Sequence, residues 1–177
     1  MKVLLTGGSG QVGQEIIKSK PEEIKIITPS RKKLDLSDYI ACKKFVKDHK
    51  PDWIINCGAY TNVDEAEKNI QLSQKINGYA LGAFVEAINE INTNLLHIST
   101  DFVFDGNQNF PYKENQTRNP LSQYGSSKAL GEELIEKKIN TIEKATILRT
   151  SWVISPVGKN FILTMLKLHS QKETIKV

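Results

Sequence analysis

The sequence predicts an α/β fold: a doubly wound parallel sheet with helices on both faces. Along the 177 residues, short apolar runs of strand length alternate with longer segments of helical periodicity. This alternation is typical of βαβ units, whose strands run parallel. The first run, residues 3–5, is followed at once by a cluster of glycines and then by residues that suit a helix. These observations together indicate a Rossmann-type sheet, and the length suffices for one sizeable core but not for two full domains.

Each element follows from its local pattern of apolar residues and chain breakers. We expect the second strand, residues 24–28, to be buried, and Ser37 to cap the second helix. Residues 63–91 are predicted to be helical, in one piece or in two that are broken near Gly78 and Gly82. A long loop covers residues 101–121, and loops of this length are often functional. The predicted strands are 3–5, 24–28, 53–56, 95–99, 145–150 and 174–177, and the later helices are 123–139 and 159–168.

Composition excludes several classes of protein. The 24 basic and 20 acidic residues give a net charge of +4, and the basic residues are spread along the chain. A nucleic-acid surface needs a basic stripe or stacking aromatics, so none is expected. No apolar stretch reaches the length of a membrane span, and the chain enters a strand without an apolar leader segment. We therefore expect a cytoplasmic protein that does not bind membranes.

Cysteines and histidines give no sign of a metal site. Cys42 falls on a predicted helix and Cys57 follows a predicted strand, and their spacing fits neither a metal nor a redox motif. We interpret both as reduced, packed thiols. His49, His97 and His169 are scattered and have no ligand-type neighbours at metal spacing, so no metal ligand is predicted.

The glycines after the first strand fit two dinucleotide-binding patterns. Gly8, Gly10 and Gly13 match G-x-G-x-x-G, whereas Gly7, Gly10 and Gly13 match G-x-x-G-x-x-G. In either pattern glycine allows a tight turn and a close backbone approach to a pyrophosphate at the start of a helix. The strand before the cluster favours a dinucleotide site that includes Gly7, Gly10 and Gly13. An ordinary glycine-rich turn is the alternative.

The end of the second strand bears on which dinucleotide binds. In a dinucleotide fold the adenosine ribose lies there, an acidic residue favours NAD, and an arginine accommodates the 2′-phosphate of NADP. Residues 29–33 contain no acid but do contain Arg31. We therefore predict NADP in preference to NAD, with Arg31 in the cofactor site. A solvated basic loop is the alternative.

Tyr124 and Lys128 are four residues apart near the start of a predicted helix, so their side chains emerge on one face. A tyrosine is a poor acid or base at neutral pH unless a neighbouring cation brings its pKa down. We expect Lys128 and a nicotinamide to do so, with Thr100, at the end of the fourth strand, holding a substrate carbonyl. The alternative is a surface tyrosine beside a solvated lysine.

These residues carry a resemblance to a known family. The glycine pattern, a Ser/Thr at the end of the fourth strand and Tyr124-x-x-x-Lys128 resemble the extended short-chain dehydrogenase/reductase superfamily. Within it the chain resembles the dTDP-4-dehydrorhamnose reductase family over essentially all 177 residues, and the later blocks are specific. The matching blocks are residues 10–13, 56–64, 99–106, 119–132 and 149–153.

The resemblance implies a role for each matching residue. Thr100 and Asp101 would touch the sugar, Tyr124 would donate a proton, and Lys128 would bind the nicotinamide ribose. Trp152 would line the sugar pocket, although a core aromatic at a strand end explains it equally well. The implied pyrophosphate contacts are Gly10, Gln11 and Val12, the adenine contacts are Asp35 and Leu36, and the contacts on the nicotinamide side are Ala59, Tyr60 and Thr61.

Other positions are less decisive. Asn160 and Phe161 resemble the family's nucleotide-sugar contact segment, but a helix N-terminal Asn and a core Phe explain them nearly as well. Cys57 and Gly58 replace the family's usual pair of alanines. Phe102 stands where the family commonly has Tyr and where related dehydratases carry Glu, so dehydration is disfavoured.

The implied activity is reduction of the 4-keto group of a dTDP-4-dehydro-6-deoxyhexose by NADPH or NADH, which gives dTDP-L-rhamnose. A homodimer is a further expectation, and the magnesium found in the family has no ligands identified in this chain. One alternative is a non-catalytic NADP-binding regulatory subunit, resembling the β subunit of methionine adenosyltransferase. Members of the family continue further, so we interpret residues 151–177 as the beginning of a sugar-nucleotide lobe, and an inactive fragment as the other alternative.

Overall fold

A computed structural model describes residues 1–171 and residue 174 of the chain. The strands of the described part form one parallel sheet in the order β2-β1-β3-β4-β5. This confirms the predicted Rossmann-type α/β fold. The strands are β1 (Lys2–Thr6), β2 (Lys25–Ile27), β3 (Trp53–Asn56), β4 (Asn94–Thr100) and β5 (Ala145–Thr150).

Helices occupy the connections between the strands. A π-helical turn, Lys75–Tyr79, lies between two of them, and short 3-10 turns cover Asp101–Val103 and Ile142–Lys144. The helices are α1 (Gln11–Ser19), α2 (Tyr39–His49), α3 (Val63–Lys68), α4 (Ile70–Gln74), α5 (Ala80–Glu90), α6 (Gln123–Lys138) and α7 (Phe161–His169).

The strand order reverses direction between β1 and β3. From β1 the chain moves outward to β2, and it then returns to β3 on the other side of β1. Because such crossovers are right-handed, α1 covers one face of the sheet while α2, α5 and α6 cover the other. The carboxyl ends of β1 and β3 therefore border the crevice in which ligands of doubly wound sheets bind.

The main core lies between the sheet and helices α2, α5 and α6. Leu4, Ile54 and Leu95 come from three neighbouring strands and are fully buried, as are Phe84 and Ile88 of α5. Burial of each such side chain contributes roughly 1.5–3 kcal/mol. This packing fixes α6, and with it the predicted site residues on α6, against the sheet.

The opposite face is less covered near β5. Leu148 of β5 is 48% exposed, and none of the described residues of α7 is buried. Ile162 and Leu166 of α7 are among its exposed apolar residues. The expectation that residues 151–177 begin a further lobe remains a prediction.

Two local expectations about the first half of the chain are wrong. The second strand is not buried, because β2 is an edge strand whose three residues are exposed or half-buried. Ser37 does not cap α2, because its hydroxyl donates to Asp35 Oδ1 (2.8 Å). The cap is Asp38, whose carboxylate accepts from the backbone N–H of Ala41.

The helical stretch 63–91 is interrupted earlier than predicted. The break falls at Asn69, between α3 and α4, and the chain around Gly78 continues as a π-helical turn, with no break at Gly82. The third, fourth and fifth strands and the helices 123–139 and 159–168 are confirmed within two residues. The predicted sixth strand over residues 174–177 lies, apart from Thr174, outside the described residues.

Candidate active site

The glycine loop joins β1 to α1 at the point where the strand order reverses. Gly7 has a φ of +69°, and a Cβ there would lie 2.5 Å from the backbone nitrogen of Gly58. At Gly13 a Cβ would lie 2.3 Å from the carbonyl oxygen of Gly7. Both positions therefore require glycine, because α1 packs directly on the turn and the turn on the loop after β3.

The first turn of α1 faces a crevice. The N-cap residue is Gly10, and no side chain of the described residues caps the helix. Gln11, Val12 and Gly13 line the crevice beside this helix end. Uncapped N–H groups and the positive end of the helix dipole suit a phosphate, so the residues present fit the pyrophosphate of a dinucleotide.

On one side of the glycine loop the crevice has a volume of about 650 Å³ and reaches the end of β2. Arg31 and Asp35 both line it, and their side chains form a loose ion pair of 4.0 Å. The structure thus places a carboxylate in this crevice, although residues 29–33 contain no acid. Hydrogen bonds from Ser37 lower the pKa of Asp35, and so this carboxylate is ionised.

On the other side a second crevice of about 520 Å³ reaches the carboxyl ends of β4 and β5. It brings most of the predicted site residues together. Tyr60 and Asn160 do not line either crevice. Leu36, Arg31 and Asp35 line only the first crevice. The predicted residues that line the second crevice are Gly7, Gly10, Gln11, Val12, Gly13, Ala59, Thr61, Thr100, Asp101, Tyr124, Lys128 and Trp152.

Tyr124 lies in the first turn of α6, edge-on to Phe102, with 5.6 Å between ring centroids. Burial raises the pKa of its phenol, and contact with the Thr100 hydroxyl opposes this only in part. In the chain alone Lys128 does not offset this rise, and the prediction that Lys128 and a bound nicotinamide together bring the pKa down stays a prediction. A phenol with a raised pKa is a proton donor and not a phenolate at neutral pH.

Lys128 is only 2% exposed, and this excludes a solvated surface lysine. Its Nζ donates to the carbonyl oxygen of Ile98 (2.7 Å) and lies 3.2 Å from Nε2 of His97. Burial lowers the pKa of Lys128 to about 8. The ammonium of Lys128 therefore loses its proton more readily than that of an ordinary lysine.

His97 was not predicted to belong to the site. It is fully buried on β4, and its Nδ1 lies 2.9 Å from the amide nitrogen of Asn56 on β3. Burial, and then the charge of Lys128, hold the pKa of His97 well below its usual value, so that its ring is neutral. Alternation of apolar and polar residues along β4 indicates burial of one face, but it does not identify Lys128 as the neighbour of His97.

Glu132 was also missed, one turn beyond Lys128 on α6. Its carboxylate is fully buried and accepts from Arg149 Nη2 (2.7 Å) and Arg118 Nη1 (3.0 Å). Ser99 at the end of β4 also donates to it. The cluster ties β4, β5, α6 and the long loop together beneath the crevice.

Asn77 holds the loop after β3 against α6. It lies in the π-helical turn, and its Oδ1 accepts from the backbone N–H of Tyr60 (2.7 Å) while Nδ2 donates to Tyr60 O and Ser127 Oγ. The backbone of Tyr60 is thus fixed by Asn77, and its neighbours Ala59 and Thr61 line the crevice. No sequence pattern pointed to Asn77, but the structure places it in a π-helical turn, a feature that occurs frequently at functional sites.

Residues 151–153, 158 and 159, which follow β5, line the second crevice. Trp152 is 73% exposed and has a φ of +51°, so the interpretation as a core aromatic is wrong. Asn160 caps α7 by accepting from the N–H of Leu163, and its Nδ2 donates to Gln11 Oε1 (2.8 Å). Phe161 is 39% exposed and packs edge-on against Trp152, and so it is not a core residue.

The remaining expectations from the sequence concern the two cysteines, metal ligands and membrane-spanning segments. Cys42 and Cys57 are free thiols, and burial raises their pKa values to about 12 and about 11. Among the described residues no three His, Cys, Asp or Glu side chains are grouped as metal ligands would be. Within the same residues, no helix combines the length and the apolar character needed to cross a bilayer.

Fold and site together define a class: a Rossmann-type α/β domain with the Tyr–Lys arrangement of short-chain dehydrogenases/reductases beside a glycine loop. Comparison with known proteins is more specific. The family model described as "RmlD substrate binding domain" matches residues 1–177. The chain belongs to this family.

Individual relatives agree with this assignment. The chain is 38% identical to the spore coat polysaccharide biosynthesis protein SpsK of Bacillus subtilis, over 99% of the chain and 62% of SpsK. It is 37% identical to the dTDP-4-dehydrorhamnose reductase of Burkholderia thailandensis, over 100% of the chain and 58% of that protein. A crystal structure of the Bacillus anthracis dTDP-4-dehydrorhamnose reductase in complex with NADP superposes with a TM-score of 0.90, at 35% identity, over 97% of the chain and 60% of that structure. The chain thus spans about three fifths of the length of these relatives.

Proposed function

We propose that the chain forms the cofactor-binding part of a reductase that converts dTDP-4-dehydro-6-deoxy-L-mannose to dTDP-L-rhamnose. The observation that carries the proposal is that Thr100, Tyr124 and Lys128 line the same crevice as the glycine loop. Relatives named dTDP-4-dehydrorhamnose reductase support this reaction. We also expect a cytoplasmic homodimer.

A bound NADPH would supply the hydride for the keto carbon. In our proposal Tyr124 donates its phenol proton to the keto oxygen, and the pKa that burial raises keeps this phenol protonated before the reaction. Thr100 orients the same oxygen through its hydroxyl, and Lys128 binds the nicotinamide ribose. Gly7, Gly10, Gln11, Val12 and Gly13 would hold the pyrophosphate.

Residues after β5 form the beginning of the sugar-nucleotide site in this proposal. Asp101 and Trp152 lie at the crevice that contains Tyr124, and Asn160 links α7 to Gln11. We propose that residues 151–177 begin the lobe that holds the dTDP-sugar. Asp101 and Trp152 would contact the sugar.

The proton donor is tested by Tyr124→Phe. We expect turnover to fall by about a hundredfold or more, because a general acid contributes roughly 10²–10⁴-fold, while the Kd for NADPH changes by less than about twofold. Turnover is measured by the loss of NADPH absorbance with the ketosugar, and the Kd by titration of NADPH fluorescence. Tyr112→Phe is the matched control, because Tyr112 donates its hydroxyl to Asp105 in the long loop.

Two outcomes would contradict the proposal. Unchanged turnover in Tyr124→Phe would remove Tyr124 as the donor. Tight NADPH binding by the unaltered protein without any ketosugar-dependent oxidation would favour one of the two alternatives, the non-catalytic regulatory subunit or the inactive fragment.

We also propose that NADP is preferred over NAD. Arg31 lines the crevice at the end of β2 and is largely exposed, so its guanidinium is available for a 2′-phosphate. Arg31→Gln should weaken NADPH binding about tenfold or more, since an ionic hydrogen bond is worth roughly 1.5–3 kcal/mol, and should leave NADH binding nearly unchanged. Lys33→Gln is the control on the same loop, and equal losses for both cofactors would refute the role of Arg31.

A further inference from the structure

A line of buried hydrogen-bonding groups runs from Gly58, in the loop after β3, to Lys128. The backbone N–H of Gly58 donates to Thr6 Oγ1 (3.2 Å), and Thr6 Oγ1 in turn contacts Asn56 Oδ1. The Asn56 amide nitrogen then meets His97 Nδ1, and His97 Nε2 meets Lys128 Nζ. Thr6, Asn56, His97 and Lys128 are all buried, with 2% exposure or less.

Counting donors gives this line a direction. Gly58 N–H can only donate and Asn56 Oδ1 can only accept, so Thr6 Oγ1 accepts from the first and donates its own proton to the second. The Asn56 amide then presents N–H to His97 Nδ1, which must accept. A neutral imidazole with an accepting Nδ1 carries its proton on Nε2, and Nε2 faces Lys128.

We propose that His97 is a positioning residue that points an N–H group at Lys128 and thereby favours the neutral amine over the ammonium. An amine accepts this N–H with its lone pair and still donates to Ile98 O, so every group in the line has a partner. An ammonium has no lone pair, so one of its N–H groups would instead face the Nε2–H of His97, and neither group could accept. The inference rests on the role proposed above for Lys128.

The other ionisable groups around Lys128 also leave its neutral form favoured. The nearest carboxylate on α6 is Glu132, whose charge is already engaged by Arg118 and Arg149. Cys57 faces Lys128 from the loop after β3, and burial raises the pKa of its thiol to about 11. The neighbouring Tyr124 also has a raised pKa and is a neutral phenol.

The consequence concerns the charge beside the nicotinamide. Lys128, with its pKa lowered to about 8, has both protonation states within reach near neutral pH. The ammonium gains most when an anion forms next to it, as the Tyr124 phenolate would after proton donation. His97 thus makes the charge of Lys128 responsive to the reaction instead of permanent.

The first test reads the proton on His97 directly and needs no turnover. Long-range ¹H–¹⁵N spectra of the ¹⁵N-histidine-labelled chain, recorded above and below pH 8, distinguish a protonated from an unprotonated ring nitrogen. We expect Nε2 to be protonated and Nδ1 unprotonated in both spectra. A proton on Nδ1 would overturn the inference, whatever the protein's activity.

The second test uses Asn56→Asp to reverse the hydrogen bond between position 56 and His97. A carboxylate at position 56 can only accept, so it should draw the His97 proton to Nδ1 and leave the Nε2 lone pair facing Lys128. We expect the pKa of Lys128, followed by its ¹³Cε signal, to rise by one unit or more, a tenfold gain in proton affinity. The Lys128 signal is identified by its loss in Lys128→Met.

Asn94→Asp is the matched control, because Asn94 lies at the opposite end of β4 and contacts Asp52. It adds the same charge without touching His97. An equal rise in the control, or a rise in Asn56→Asp while the proton stays on Nε2, would show that charge alone acts on Lys128 and would refute the inference.

Discussion

Helix α6 buries two charged side chains one turn apart, and their surroundings differ completely. The region around Glu132 supplies two guanidinium groups and a hydroxyl to the carboxylate. Among the described residues, no carboxylate lies within hydrogen-bond distance of Lys128 Nζ, which contacts Ile98 O and His97 Nε2, and Glu132 acts on it only through its charge. One charge is compensated and the other is not.

The difference separates a structural charge from a functional one. A buried charge without a partner is costly, so folding alone gives no reason to keep it. Burial together with an incomplete set of partners brings the pKa of Lys128 near neutral pH, which is typical of reactive sites. The compensated Glu132 instead holds four elements together beneath the crevice.

The largest effect is expected where the compensation is broken. Glu132→Gln leaves Arg118 and Arg149 without their buried carboxylate, and removal of one partner from a buried ion pair costs about 3–5 kcal/mol. The unfolding free energy, measured by urea denaturation at pH 7, should fall by this amount. A loss below about 1 kcal/mol would mean that the Glu132 cluster is not structural.

The pH dependence of this loss has a definite sign. Burial alone would raise the pKa of Glu132, but hydrogen bonds from Arg149 and Ser99 outweigh it, and the net pKa is lowered. The stabilisation is therefore fully present above the ordinary pKa of 4.5 and disappears as the pH falls through the lower folded-state value. The difference in unfolding free energy between the unaltered chain and Glu132→Gln should therefore become smaller in acid.

The opposite effect is expected at Lys128. Lys128→Met keeps the length of the side chain but removes the uncompensated group, and so we expect the chain to become more stable at pH 7, by about 1–3 kcal/mol. The lowered pKa means that the folded chain binds fewer protons than the unfolded chain between about pH 8 and 10.5. The gain should therefore be constant below pH 8 and shrink as the pH rises towards 10.5.

Urea denaturation at several pH values measures this gain. Cys42 and Cys57 also titrate in the alkaline range, but they are present in both proteins and largely cancel in the difference. A Lys128→Met variant less stable than the unaltered chain at pH 7 would show that the hydrogen bond to Ile98 outweighs the burial of the charge.

Sequence reasoning found the parts of the site that depend on local spacing. The glycine loop lies within one turn, and Tyr124 and Lys128 lie within one turn of α6, so the motif itself places these groups together. His97 and Lys128 are 31 positions apart, and Asn77 and Ser127 are 50 apart. Periodicity indicates which face a side chain occupies, but it does not reveal the side chain on the opposite element.

The errors have related causes. An apolar run predicted a strand correctly at β2, but whether a strand lies at the edge depends on the strand order, which the run does not contain. Ser37 and Asp38 are both good caps, and the choice between them depends on the hydrogen bond that Ser37 makes with Asp35. The pKa of Tyr124 in the chain alone is raised by the burial of its own phenol, which the spacing of Tyr124 and Lys128 does not reveal.

The smallest effect tests whether burial or pairing makes the Glu132 cluster strong. Arg118 also pairs with Glu136, through two contacts of 2.7 Å, but Glu136 is 44% exposed. Exposed ion pairs contribute about 0–1 kcal/mol and weaken in salt. Glu136→Gln should therefore cost less than about 1 kcal/mol in urea denaturation, and most of that should vanish in 1 M salt. The guanidinium of Arg118 contacts both carboxylates. If Glu136→Gln lost as much unfolding free energy as Glu132→Gln, pairing with Arg118, and not burial, would set the strength of the Glu132 cluster.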